Sequence, residues 1–233
     1  LGDGDDLAID LGDGAAMVTS DVTVEDALDG ETPSTYTYFR PANGAGMATA
    51  APAGSWAGVP GSLLEAGDLH HLTTVVGSLG TDDRRRVMTY VRQPDDVTVT
   101  LPPVSDAPAV EVVGVEPYGR IATTLPDDDG VQVYTLYFES TARYWYEDVT
   151  RGWLDAAGTD TIELAELSDL DGWDDAWGFA ADAEVAWYSI AQTGNRSAGD
   201  VMDTLYMTLV PPLSGLDGLS VGEQWTSGDL VVE

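Results

Sequence analysis

Carboxylates and indoles are the side chains this sequence concentrates most tightly, and both occur in one stretch, Glu166-Leu167-Ser168-Asp169-Leu170-Asp171-Gly172-Trp173-Asp174-Asp175. Closely spaced carboxylates around a glycine turn are what a hard cation such as Ca²⁺ requires, because it fills its shell with oxygen ligands. Compared with an EF-hand loop the match is partial. With Asp169 first and Asp171 third, Trp173 falls on the fifth position, and Ala180 stands where the bidentate Glu belongs. A calcium loop of another kind, drawing on Glu166, Asp169, Asp171, Asp174 and Asp175, is therefore the metal expectation, and Ca²⁺ is the one cofactor suggested. The competing reading is that a chain with 41 acids has Asp in its turns.

Six of the seven Trp lie in the second half: Trp145, Trp153, Trp173, Trp177, Trp187 and Trp225. An exposed indole face stacks on sugar C–H groups while neighbouring carboxylates accept from hydroxyls, so Trp173 and Trp177 are the candidate ligand-binding residues. In a β-sandwich, however, Trp more often supplies buried core area. His70 and His71 are adjacent, which in a strand sends them to opposite faces and prevents them from chelating one metal. Arg84-Arg85-Arg86 is the one concentration of positive charge; it could meet an anionic partner or another subunit's acidic surface, or pair locally with acids. The runs Asp3 to Asp13 and Asp127-Asp128-Asp129 read as a solvated strand face and a hairpin connection. No G-x-S-x-G, H-E-x-x-H, Walker or Rossmann pattern is present, and carboxylate pairs mean little among so many acids.

The net charge of -32 has a particular source: no Lys occurs, and all nine basic residues are Arg. Such a surface repels nucleic-acid phosphates and anionic headgroups, which disfavours both as partners. An acidic DNA mimic would bind nucleic-acid proteins instead, but nothing specific points to one. Zero Cys excludes disulfides, thiolate metal sites and Cys nucleophiles. No run nears the roughly 20 apolar residues of a membrane span. The start at Leu1 is read as loss of an upstream segment, with secretion or a lipid anchor as the expectation. The lone sequon, Asn195-Arg196-Ser197, carries little weight.

The elements that must position these residues are mostly strands. Period-two alternation runs through Leu7, Ile9 and Leu11 and through Val18, Val22 and Val24. It continues over 35–40, 69–76, 86–92, 97–101, 110–115, 120–125, 131–139, 143–150, 161–164, 184–190, 205–210 and 230–232. Leu164, Leu167 and Leu170 suggest one short helix or 3₁₀ turn within 163–177. Pro102, Pro103 and Pro108 mark a semi-rigid connector. The expected fold is all-β, two antiparallel Ig-like or transthyretin-like sandwiches at 1–104 and 105–233 with at most one short helix.

Val22-Thr23-Val24 before a Pro-containing loop, Tyr90-Val91 before Val97-Thr98-Val99, and the opening Pro108 to Val115 resemble secreted bacterial surface proteins. Those join a transthyretin-like or carboxypeptidase-regulatory-like domain to a fibronectin-III-like sandwich. The resemblance implies an extracytoplasmic binding or structural module and carries no catalytic residue across. Its partner would be a surface glycan, a protein or a second copy. The alternative is a carbohydrate-binding accessory module or a carbohydrate-active enzyme working through acids.

Overall fold

The computed structural model describes residues 16–42, 46–77, 84–141, 143–205 and 215–233. The alternation at Leu7 to Leu11 lies outside them. The first half contains β1 (Val18–Glu25), β2 (Ser34–Arg40), β3 (Met47–Thr49), β4 (Ser55–Gly58), β5 (Leu69–Val76), β6 (Arg84–Val91) and β7 (Val97–Thr100). After the connector come β8 (Ala109–Gly114), β9 (Arg120–Thr124), β10 (Val131–Glu139) and β11 (Tyr144–Thr150). Helix α1 (Arg151–Ala157), β12 (Thr161–Glu163), β13 (Glu184–Gly194), α2 (Ala198–Leu205) and β14 (Ser220–Val231) complete the order.

The class is all-β, and one wiring diagram occurs twice. In the first half β4 lies beside β1, while β3-β2-β5-β6 form the facing layer; in the second, β12 lies beside β9 and β11-β10-β13-β14 face them. Each small sheet gains a third strand, β7 parallel to β1 and β8 antiparallel to β9. The repeat is one of topology, at a period longer than solenoid repeats.

Each sandwich has its own core. Val22, Trp56, Leu72, Val76, Val87, Val99 and Leu101 fill the first. Ile121, Tyr134, Leu136, Phe138, Leu154, Phe179 and Val185 are among those filling the second. The large sheets join edge to edge, because β14 pairs with β6 from Ser220↔Thr89 to Trp225↔Arg84, giving eight continuous strands. These are topologically equivalent strands meeting antiparallel, as the edges of a two-fold dimer do. A third cluster, Met88, Tyr90, Val133, Val201, Leu219 and Val221, packs α2 over this junction. The connector between β7 and β8 is itself held, with Leu101 buried and Arg85 Nη1 donating to Pro102 O at 2.7 Å.

Two short α-helices are present where the sequence suggests at most one, and neither falls in 163–177, which holds only a 3₁₀ turn at Asp175–Trp177. Helix α1 is set by Thr150, whose hydroxyl accepts from Trp153 N, and by Gly158, which closes it at φ 68°. Helix α2 starts with a reciprocal cap in which Ser197 N and Oγ donate to Asp200 while Asp200 N donates to Ser197 Oγ. Leu205 ends that helix rather than opening the strand expected over 205–210; the other residues of that range lie outside the description. Strand β14 starts ten residues before the expected 230–232 because Gly222 and Gly228 interrupt its alternation. At Gly228 a Cβ would stand 2.7 Å from the Trp187 indole, so the ring lies across the strand where only glycine fits.

Candidate functional site

The loop between β12 and β13 is anchored by Tyr118, whose hydroxyl donates to Ala165 O at 3.0 Å and accepts from Leu167 N at 2.5 Å. Trp173 packs 5.5 Å from the Tyr118 ring, 6.2 Å from Trp145 and edge-on to Trp177 at 5.5 Å. Trp173 is half-buried and Trp177 is 52% exposed. The two candidate indoles thus meet in one cluster, with Trp177 as its solvent face.

Three of the five candidate metal ligands have other partners. Glu166 accepts from Ser168 Oγ at 3.1 Å and lies 3.4 Å from Arg120 Nη1. Asp174 accepts from Ala176 N at 3.0 Å as the cap of the 3₁₀ turn, and Asp175 accepts from Trp173 Nε1 at 3.1 Å. Asp169 and Asp171 are exposed. Among the described residues no three His or carboxylate side chains converge on a point that could hold a metal ion. In the loop as folded, Glu166, Asp174 and Asp175 hold a serine hydroxyl, a backbone amide and an indole.

A second aromatic group, absent from the sequence-based candidates, lies on the outer face of the second half of the large sheet. Tyr134, Leu136 and Phe138 point inward, so alternation turns Tyr137 and Glu139 outward. Register places Tyr188, Tyr137 and Tyr146 in one row across β13, β10 and β11, with Tyr144 in the next row opposite Glu139. Tyr137 stacks on Tyr144 at 6.0 Å and 16°, and lies 6.1 Å from Tyr188. Tyr144 is 70% exposed. The preceding row begins at Arg84 and Trp225 on β6 and β14, with the Arg84 guanidinium 3.8 Å above the indole.

Glu223, 1% exposed, ties this end together. It accepts from Arg86 Nε at 2.8 Å, Trp225 Nε1 at 2.9 Å and Gln192 Nε2 at 3.3 Å. Arg85 points into the sandwich interior, where it pairs with Glu31 and donates to Asp26 O. Two members of the arginine triplet therefore pair locally with acids. Arg84, the third member, has no carboxylate within ion-pair distance among the described residues.

A shallow cleft of about 500 Å³ opens beside β11, lined by Glu147, Asp148, Trp153, Ile162 and Glu163 among others. Burial holds Glu147 above the usual carboxylate range, and its Oε2 has no hydrogen-bond partner. His70 and His71 face opposite sides, as strand alternation requires, His70 near Trp56 inside and His71 stacked on Tyr90 outside.

No protein-family model matches the chain, and no curated protein is significantly similar. Among solved structures, the crystal structure of chicken CNTN1 FN1-FN3 domains is similar at 8% identity and a TM-score of 0.28, covering 94% of this chain and 67% of that one. At that level the description of the fold rests on strand order and register alone.

Proposed function

We propose that this chain is a non-catalytic, extracytoplasmic binding module of two sandwich domains, 1–104 and 105–233, whose ligand is a surface glycan. The observation that carries this reading is the tyrosine group Tyr137, Tyr144, Tyr146 and Tyr188, displayed on paired strands rather than on a mobile loop. Rigid, partly exposed aromatics give contact area at little conformational-entropy cost, and contiguous exposed apolar surface marks interaction sites. Ring faces suit the C–H faces of pyranoses, while Glu139 and Asp148 beside them can accept from sugar hydroxyls. The Trp173–Trp177 cluster at the loop offers a second surface of the same chemistry.

The test is a glycan array followed by calorimetry on wild type and a Tyr144→Ala, Tyr146→Ala variant. The expected result is a carbohydrate hit weakened by about tenfold or more in the variant, each lost aromatic contact being worth about 1 kcal/mol. Absence of any hit, or unchanged affinity in the variant, removes the reading.

One observation favours a second reading, a carbohydrate-active enzyme: Glu147 is held toward its protonated form beside the exposed Trp153, as a general acid would be. Glycoside hydrolysis that is abolished by Glu147→Gln would replace the first reading with this one.

A further inference from the structure

We infer that the Arg84 end of the tyrosine face is a subsite for one carboxylate-bearing sugar unit, so that the glycan bound there carries a single uronic acid at one end and neutral rings beyond it. The inference rests on the glycan reading above and adds the ligand's charge and direction.

Four observations carry it. First, Arg84 stands in a chain with nine basic residues and 41 acids, yet among the described residues no carboxylate lies within ion-pair distance of it and Glu223 acts on it only through space, while Arg85 and Arg86 each form a direct pair. Its Nε is buried without a hydrogen-bond acceptor. Second, its guanidinium carbon lies over Trp225, 3.8 Å from the ring centroid, and that indole is fixed in turn by its bond to Glu223. A guanidinium already packed on a ring loses little further freedom when a carboxylate meets its planar donors two at a time, which a Lys ammonium cannot reproduce. Arg86 lies 5.7 Å from the same ring and adds positive charge, although Glu223 neutralises part of it.

Third, register places this cation next to the tyrosines. Trp225 pairs with Ile190, and Tyr188 is the next outward residue along β13, followed across the sheet by Tyr137 and Tyr146. From β6 to β11 is four interstrand steps, about 19 Å, enough for several pyranose rings. Fourth, the charge along this path is polarised. Glu139 and Asp148 occupy outward positions on β10 and β11, the strands farthest from β6, and Asp229 lies on β14 two outward positions beyond Trp225, in a molecule of net charge -32. A ligand with acid on every unit would lay carboxylates against these residues. One whose single acid sits on Arg84 meets the cation and leaves neutral hydroxyls for the acids.

The site exists only because the two sandwiches share one sheet, since Arg84 and Arg86 come from β6 and the rings from β14, β13, β10 and β11.

Calorimetry with three oligosaccharides of equal length tests this: one neutral, one bearing a single terminal uronate, one with a uronate at every unit. Wild type should bind the singly charged ligand about tenfold more tightly than the neutral one, and the fully charged ligand more weakly than the singly charged one. Arg84→Gln should erase the preference, and an unchanged unfolding temperature shows that the variant is folded. Arg84→Lys should restore only part of the preference. Equal binding of neutral and singly charged ligands by wild type overturns the subsite and leaves the glycan reading intact. Binding of no oligosaccharide overturns both. Arg84-dependent binding of an acidic peptide, without binding of the uronate, overturns the assignment of the occupant.

Discussion

His70 and His71 are neighbours in sequence with different surroundings, yet both are kept neutral. Val59 N donates to His70 Nε2 at 2.9 Å, so that nitrogen must carry a lone pair, and Nδ1 is left to donate to Arg92 O at 3.0 Å. A second proton would set N–H against N–H, and burial lowers the pKa in the same sense. His71 lies against Tyr90 at 4.7 Å; burial first, and then the charges of Arg40 and Arg86, lower its pKa to about 4. Below about pH 6.5 the unfolded chain binds protons at these sites that the folded chain refuses, at His71 down to about pH 4. Their stabilising contribution is therefore complete above about pH 6.5 and lost as pH falls toward the folded values. At His71 it is at most about 3 kcal/mol. Urea midpoints at pH 7 and pH 4.5 should show a smaller acid loss in His71→Phe than in wild type; equal losses would show that His71 does not contribute. Protonation of the many surface carboxylates is common to both proteins and cancels in the comparison. At this scale the sequence was informative about pairs and clusters: the opposite facing of the histidines and the meeting of Trp173 with Trp177 follow from local spacing. The tyrosine face was not legible, because Tyr137, Tyr146 and Tyr188 become neighbours only through the registers of three strands.

At the scale of elements, most strands announced themselves by alternation, and the failures share a cause. Helix α1 has seven residues, too few for a 3.6-residue period to show or for an isolated helix to persist. Its only local signals are the caps, Thr150 and Gly158, and its stability comes from Leu154, which is fully buried in the second core. Most of strand β14 lacks a visible alternation because two glycines accommodate neighbouring side chains, information that belongs to β13 and the connector. Helix α1 should show two different costs on substitution. Gly158→Ala strains a residue at φ 68° and should cost about 1 kcal/mol. Leu154→Ala opens a cavity between α1 and β10 and should cost about 2–5 kcal/mol. Denaturant midpoints separate the two; equal costs would mean that capping, not packing, holds the helix.

At the scale of the molecule the shared sheet and the charge act against each other. The junction is made by β6–β14 hydrogen bonds, the pair of half-buried Arg86 with buried Glu223, and the cluster under α2, whereas the acids push the two halves apart. Residues 1–104 hold 16 acids and five Arg, and residues 105–233 hold 25 acids and four Arg, so their net charges are -11 and -21. At about 0.01 M salt the Debye length is roughly 30 Å, comparable with a domain, and nearly every carboxylate feels the others; at about 1 M it is roughly 3 Å and only contact pairs persist. Folding crowds like charges together, so screening should favour the compact state. KCl is the salt to use, because chloride is less strongly excluded from protein surfaces than sulfate and so reports screening more cleanly. Scanning calorimetry across a KCl series should show the unfolding temperature rising with salt. If the halves are separate domains, two transitions should appear at low salt, where repulsion across the junction is strongest. The one lost by a truncated 1–104 chain should belong to the second half and should move further with KCl, because that half carries about twice the charge. A single transition at every salt concentration would make the shared sheet one cooperative unit and remove the division at 104/105. A flat or falling unfolding temperature would show that repulsion among the acids does not limit the fold.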